Sequence, residues 1–313
     1  LRETEIHNTV EHVLVLFLDG VGLGENDPDV NPLAVAEMPT IVELLGGKKP
    51  VKSNISETTG QSILKGVDAQ LNVPGLPQSG TGQVSIQTGL NAAAHLGKHD
   101  GPYPNGELQQ LLAEDNLFKT LRESANAVAF ANAYSDRFLE RLKRGTQRLS
   151  ANARAALLAD LPLRGPTDLC LGEAISSLLT NDYFRQIGYD VPDIRLEEAG
   201  RNLAQLTHSH ALTYFEFWYS DVVGHRQDWD MALQVLNQLD RFLTGLLAHL
   251  DLNTTLFLII SDHGNLENLT TNKHTTNPAL CIVTGAGREA VAHQLVSLTD
   301  IKPSLVSALH SLR

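Results

Sequence analysis

Six side chains of the kinds that hold divalent metals fall in four short, widely separated segments: Asp19 in LDGVG, Asp221 and His225 in DVVGH, Asp262 and His263 in SDHGN, and His274 in KHTTNP. Mixed carboxylate and imidazole donors suit Zn2+ or Mn2+, whereas Mg2+ and Ca2+ prefer shells of oxygen alone. Six such donors and one further oxygen make a reasonable complement for two ions. Taken singly, a histidine or aspartate in a chain with 12 histidines is more often a surface or core residue than a ligand. The ordered set, placed beside strand ends, carries the metal reading.

A fifth segment, QSGTGQ from Gln78 to Gln83, supplies hydroxyls between glycines. Glycine lets backbone approach a ligand closely, and a helix following it would turn its amino-terminal dipole and free N–H groups toward an anion. Ser79 or Thr81 could then accept a phosphoryl group. A free hydroxyl is a weak nucleophile, and metal coordination is what would activate it near neutral pH.

These segments need elements to bring them together. Val13–Leu18 is a continuous apolar run closed by Asp19-Gly20, which predicts a strand buried on both faces and then a turn. Leu212–Tyr219 and Leu256–Ile260 have the same character, and each ends within two residues of an aspartate. Between them, Leu236, Leu239, Leu243, Leu246 and Leu250 repeat at helical spacing behind a candidate cap at Asp230. Strand, helix, strand predicts a βαβ crossover in a doubly wound, largely parallel α/β sheet, whose ligands gather beyond the carboxyl ends of the strands. Residues 91–201 read as a mainly helical cap inserted into a core made of 1–90 and 202–313, with helical patterns over Gly106–Leu121, Arg137–Leu158 and Leu169–Leu179. The basic stretch Arg137, Arg141, Lys143, Arg144 and Arg148 reads as a solvated helix face. Trp218 and Trp229 read as packing residues.

Composition narrows the function. A net charge of −12 over 313 residues disfavours nucleic acid and anionic membranes as partners, so a small phosphorylated substrate would have to be drawn in by bound cations. No apolar run approaches the ~18 residues of a membrane span. The amino terminus LRETEIHNTV lacks the basic and apolar regions of a secretory signal, and two cysteines allow at most one bridge, which together point to the cytoplasm.

The set LDGVG, SGTG, DVVGH, SDHGN and HTTNP, in this order, resembles the metalloenzyme branch of the alkaline phosphatase superfamily, with cofactor-independent phosphoglycerate mutase and phosphopentomutase the most similar members. The resemblance covers roughly Val13–Leu90 and Leu203–Leu312. It implies two divalent ions, Zn2+ or Mn2+. One would lie on Asp221, His225 and His274. The other would lie on Asp19, Asp262, His263 and Ser79, with Ser79 as nucleophile. Family spacing to Gly82 and Gly89 selects Ser79 and leaves Thr81 as the fallback. Gln83 stands where the mutases carry histidine, and the arginine- and histidine-bearing substrate segment of phosphoglycerate mutase has no counterpart in 91–201. The resemblance therefore implies a phosphatase using a phosphoserine, with a phosphomutase as the alternative. A metal-binding protein without turnover is the reading from another class, against which the retention of Ser79 and all six donors argues.

Overall fold

The run VLVLFL forms the central strand β1 (His12–Leu18), and it is apolar throughout because helices cover both faces of the sheet. Alternate side chains point to opposite sides. Val13, Val15 and Phe17 enter one core cluster, and Leu14, Leu16 and Leu18 enter a second. The computed structural model describes residues 9–55, 61–124 and 126–310. Most of the amino-terminal segment read above for a secretory signal, and Leu312, lie outside the described residues.

The other strands are β2 (Ser62–Val67), β3 (Val128–Phe130), β4 (Asn132–Ala133), β5 (Ile175–Ser176), β6 (Leu212–Phe217), β7 (Thr255–Ile260) and β8 (Ala279–Gly285). Six of them form one sheet in the order β2-β8-β7-β1-β6-β3. Strands β3, β6, β1 and β7 are mutually parallel, while β8 runs antiparallel to both β7 and β2. The sheet is thus mixed rather than uniformly parallel. Leu18 is level with Phe217 and Phe17 with Ile260, so the chain leaves β1, β6 and β7 at one common edge. The reversed direction of β8 serves the same edge: the HTTNP segment precedes its first residue, and so arrives where the parallel strands end.

The leucine-periodic stretch is the helix Trp229–Leu247, capped by Asp228, whose side chain accepts from Met231 N–H, rather than by Asp230. It packs with the helix Leu196–His208 over one face. Helices Ser79–Thr88, Gly106–Glu114, Leu117–Glu123, Ala151–Leu158 and Ile301–His310 cover the other.

Helices are the main regular element of residues 91–201, though they take up only about half of the segment, and several of them pack into the core. β3 is the edge strand of the main sheet, and Leu108, Leu112, Phe118 and Ala155 share the cluster that holds Val13 and Phe17. Three strand residues are too few to register against a helical background, and a helical period does not reveal which layer a helix joins. A satellite cluster of Ala133, Leu169, Ala174, Phe184 and Val191 does sit beside the two-stranded β4–β5 ladder. Cys170 and Cys281 are unbridged, the latter buried in β8. Among the described residues no helix is long and apolar enough to cross a membrane.

Candidate metal centre

At the sheet edge the four motif segments converge. Asp19 directly follows β1. Asp221 and His225 lie one turn apart on the helix Tyr219–Arg226, and Asp262 and His263 follow β7. His225 Nε2 lies 3.2 Å from Asp221 Oδ2, and His274 Nε2 lies 3.6 Å from Asp221 Oδ1. His263 Nε2 lies 3.4 Å from Asp19 Oδ1 and 3.7 Å from Asp262 Oδ1. Donor atoms of Asp221, His225 and His274 fall within 4.8 Å of one another, and so do those of Asp19, Asp221 and His263. Asp221 therefore stands between the two groups. Asp262 is set slightly deeper, accepting from Gly20 N–H at 3.3 Å and from Gln83 Nε2 at 3.2 Å.

Each histidine is oriented by its other ring nitrogen. His274 Nδ1 donates to Pro77 O (2.6 Å), His225 Nδ1 to Asn272 O (2.8 Å) and His263 Nδ1 to Gly264 O (3.4 Å). This fixes the tautomer and turns every Nε2 toward the carboxylates.

The loops are tied together by a residue that the motif reading passed over. Glu267, 1% exposed, accepts from Gly22 N–H (2.9 Å) after β1, from Asn265 N–H (2.8 Å) after β7, and from Thr275 Oγ1 and Asn277 Nδ2 before β8. Asn265 in turn donates to Asp221 Oδ1 at 2.7 Å, and Ser220 Oγ donates to Asp19 O at 2.6 Å. Glu267 is only four residues beyond His263, yet nothing in its type separates it from an ordinary surface glutamate.

Ser79 opens the helix Ser79–Thr88, whose first turn is closed by Gly82 N–H donating to Gln78 O. Ser79 Oγ lies 3.0 Å from His263 Nε2 and faces a cavity of about 560 Å3. Thr81 Oγ1 turns away, donating to Gln78 O at 3.1 Å. Gly82 lets the helix press against the loop after β7, since a Cβ there would come within 3.0 Å of Asp262 O. Gln83 accepts from Ala151 N–H at 3.1 Å while holding Asp262, so it braces a carboxylate.

The electrostatics ask for positive charge. Burial pushes the Asp19 carboxyl well above the ordinary range, and neighbouring Asp262 adds to this. Asp262 is itself raised by burial. At Asp221 burial works the same way, but the His225 hydrogen bond and the His263 charge outweigh it and hold the group at about 2. Burial opposes charge on His263 as well, yet Asp262 and Asp19 raise it to about 10. His274 is lowered to about 4 by burial and by the His263 charge, which leaves its Nε2 lone pair free. That lone pair faces His225 Nε2 at 3.2 Å. Three buried or half-buried carboxylates and three imidazole Nε2 atoms converge here, and a cation that displaced the imidazole protons would meet oxygen and nitrogen donors together, so the residues present fit a divalent centre.

Residues 187–311 match the family model of the metalloenzyme superfamily. Over this carboxy-terminal stretch the chain is similar to that superfamily, with distant sequence similarity to cofactor-independent phosphoglycerate mutases. A 2,3-bisphosphoglycerate-independent phosphoglycerate mutase of Agrobacterium fabrum is 32% identical to this chain over 97 residues, 29% of this chain and 19% of the relative. The match thus spans about a fifth of the length of such curated relatives. The PH0037 protein of Pyrococcus horikoshii shares the fold with a TM-score of 0.60 at 12% identity, covering 96% of this chain and 98% of that one. The alkaline phosphatase of the Antarctic bacterium TAB5 does so with a TM-score of 0.54 at 11% identity, covering 96% and 99%.

Two features of the cavity depart from the sequence reading. Trp218, expected to pack, is 40% exposed and lines the cavity, as does Arg148 from the basic stretch. Glu216 on β6, 2% exposed, reaches the cavity while accepting from Ser150 Oγ (2.8 Å) and Asn152 Nδ2 (3.2 Å). Burial pushes its carboxyl up to about 7. The signal for it was available: Glu216 is the single charge in the buried run LTYFEF.

Proposed function

We propose that this protein is a metal-dependent phosphohydrolase acting on small phosphate monoesters through a phosphoserine at Ser79. The observation that carries the reading is the position of Ser79 Oγ. It lies at the first residue of a helix, beside His263 and at the floor of a cavity that Asp19 and Asp221 also line. Asp221, His225 and His274 would hold one ion, and Asp19, Asp262, His263 and Ser79 the other. Two ions, Zn2+ or Mn2+, would supply Lewis-acid polarisation of the phosphoryl oxygens and lower the pKa of a bound hydroxyl.

The chain's own residues do the rest. The amino terminus of the helix directs its dipole at the phosphate. Ser79 Oγ attacks phosphorus, the bond to the ester oxygen breaks opposite it, and the alcohol departs with a proton. Water then attacks the phosphoserine, releasing inorganic phosphate and restoring the hydroxyl. Gln83 and Asn265 keep Asp262 and Asp221 in place throughout. Within the proposed division, 1–90 and 202–313 form the metal-binding floor, and 91–201, which supply most of the cavity wall, select the substrate.

A phosphomutase is the second reading, supported by the names of the curated relatives. It would use the same floor and return the phosphoryl group to another hydroxyl of a retained substrate. Turnover of phosphorylated metabolites in 18O-labelled water with Zn2+ or Mn2+ separates the two. Solvent oxygen in released phosphate is expected. Isomerised ester without solvent oxygen would establish the mutase, and absence of both under metal-loaded conditions would refute phosphoryl transfer.

A further inference from the structure

The walls above Ser79 leave an unusual kind of surface facing water. Among the described residues, the Phe, Tyr and Trp side chains that stay exposed are Tyr103, Tyr183 and Trp218, and all three line this one cavity. Tyr134 and Phe138, stacked with ring centroids 4.6 Å apart, and buried Phe184 continue the same wall. Exposed rings scattered singly need no explanation, but three gathered at one opening mark a binding surface. Charge in the wall is sparse. Arg148 is the one basic side chain in the lining among the described residues, and its guanidinium lies 5.8 Å from the centroid of the Tyr103 ring. The described lining thus offers a second anionic group of a substrate whose phosphate sat beside Ser79 no basic side chain but Arg148, which already lies over Tyr103.

Resting on the reading that Ser79 accepts a phosphoryl group, we propose that the alcohol part of the substrate carries a flat aromatic ring, seated against Tyr103, Tyr183 and Trp218, and bears no second anion. Aromatic rings favour offset or edge contacts with such a collar, and burying one ring removes enough apolar area to dominate selectivity among esters.

The test uses esters with alkoxide leaving groups, so that the chemistry is matched: 2-phenylethyl phosphate, ethyl phosphate, glucose 6-phosphate and 3-phosphoglycerate, with Zn2+-loaded protein. The expected kcat/KM for 2-phenylethyl phosphate exceeds that for ethyl phosphate on the order of 10- to 100-fold, mainly through KM. Trp218→Ala and Tyr183→Ala should each lower that ratio by about 10-fold, and Trp218→Phe should retain most of it. Binding gives an independent readout: 2-phenylethylphosphonate should bind at least about 10-fold tighter than ethylphosphonate by calorimetry. If no ester turns over but this phosphonate preference holds, phosphoryl transfer fails and the aromatic site stands. Equal affinity for the two phosphonates, or preference for 3-phosphoglycerate or glucose 6-phosphate, would overturn the proposal.

Discussion

Ser79 and Thr81 are two residues apart, and one turn of helix sends their hydroxyls to different places. Ser79 Oγ faces His263 and the cavity, while Thr81 Oγ1 is engaged by backbone carbonyls. Ser79→Ala should therefore cost several orders of magnitude in kcat, and Thr81→Ala on the order of 10- to 100-fold, measured on folded, metal-loaded variants. The reverse pattern would move the nucleophile to Thr81. A second residue prediction concerns stability. The Glu216 carboxyl is raised by burial from its ordinary 4.5 to about 7 in the fold, so the folded state holds its proton more tightly than the unfolded chain. That advantage is complete below pH 4.5, fades as pH rises and is gone above about 7, a change on the order of 3 kcal/mol. Glu216→Gln keeps an acceptor for Asn152 and should flatten this part of the pH–stability curve in denaturant unfolding. An unchanged slope between pH 5 and 7 would count against a buried, titrating Glu216. The six side chains proposed as donors stood out in the sequence because histidine and aspartate in short motifs beside apolar runs are chemically conspicuous, and the fold brings them to one sheet edge. Gln83 and Trp218 did not, since an amide bracing a carboxylate and a ring facing a cavity look, in sequence, like any others.

At the scale of elements, strands were easier to read than the layers they join. β1, β6 and β7 announce themselves because both faces are buried, which makes their sequences predominantly apolar, with Glu216 the one charge among them. The direction of β8 is invisible in its composition, because ALCIVTG would be equally apolar in either orientation. The predicted helix Gly106–Leu121 breaks at Asn116, whose side chain caps the second helix by accepting from Lys119 N–H. Glu267 is the element-level prediction. Four donors from three loops meet on one buried carboxylate, so Glu267→Ala leaves them without a partner. A loss of about 3 kcal/mol or more in unfolding free energy is expected, together with a 10- to 100-fold drop in metal affinity. Glu267→Gln should recover part of both. If titration of the alanine variant with Zn2+ gave parental affinity, the loops would be held by their strands alone and the clamp would be incidental.

For the molecule as a whole, the difficulty is sign. A chain of net charge −12 gathers Asp19, Asp221, Asp262 and Glu216 around the place proposed to receive a doubly charged phosphate. Among the described residues, Arg148 is the only basic side chain lining the cavity. Two divalent ions would reverse the local field, and because they bind the folded state they would also stabilise it. Elemental analysis should accordingly find close to two transition-metal ions per chain. Chelation should lower the apparent stability, and restoring free metal to a hundredfold over its dissociation constant should return about 2.7 kcal/mol per independent site. His274→Ala should empty mainly the site shared with His225, and Asp262→Asn mainly the one beside Ser79. Asp221 lies between the two groups, so Asp221→Asn should weaken both. The ligands must be deprotonated to bind, so occupancy should fall as pH is lowered, and thermal unfolding of the metal-loaded protein should approach that of the chelated protein at acid pH. A chelated protein that unfolds at the same temperature as the loaded one across this range, and takes up no metal, would mean that the acidic cluster is balanced by its histidines alone.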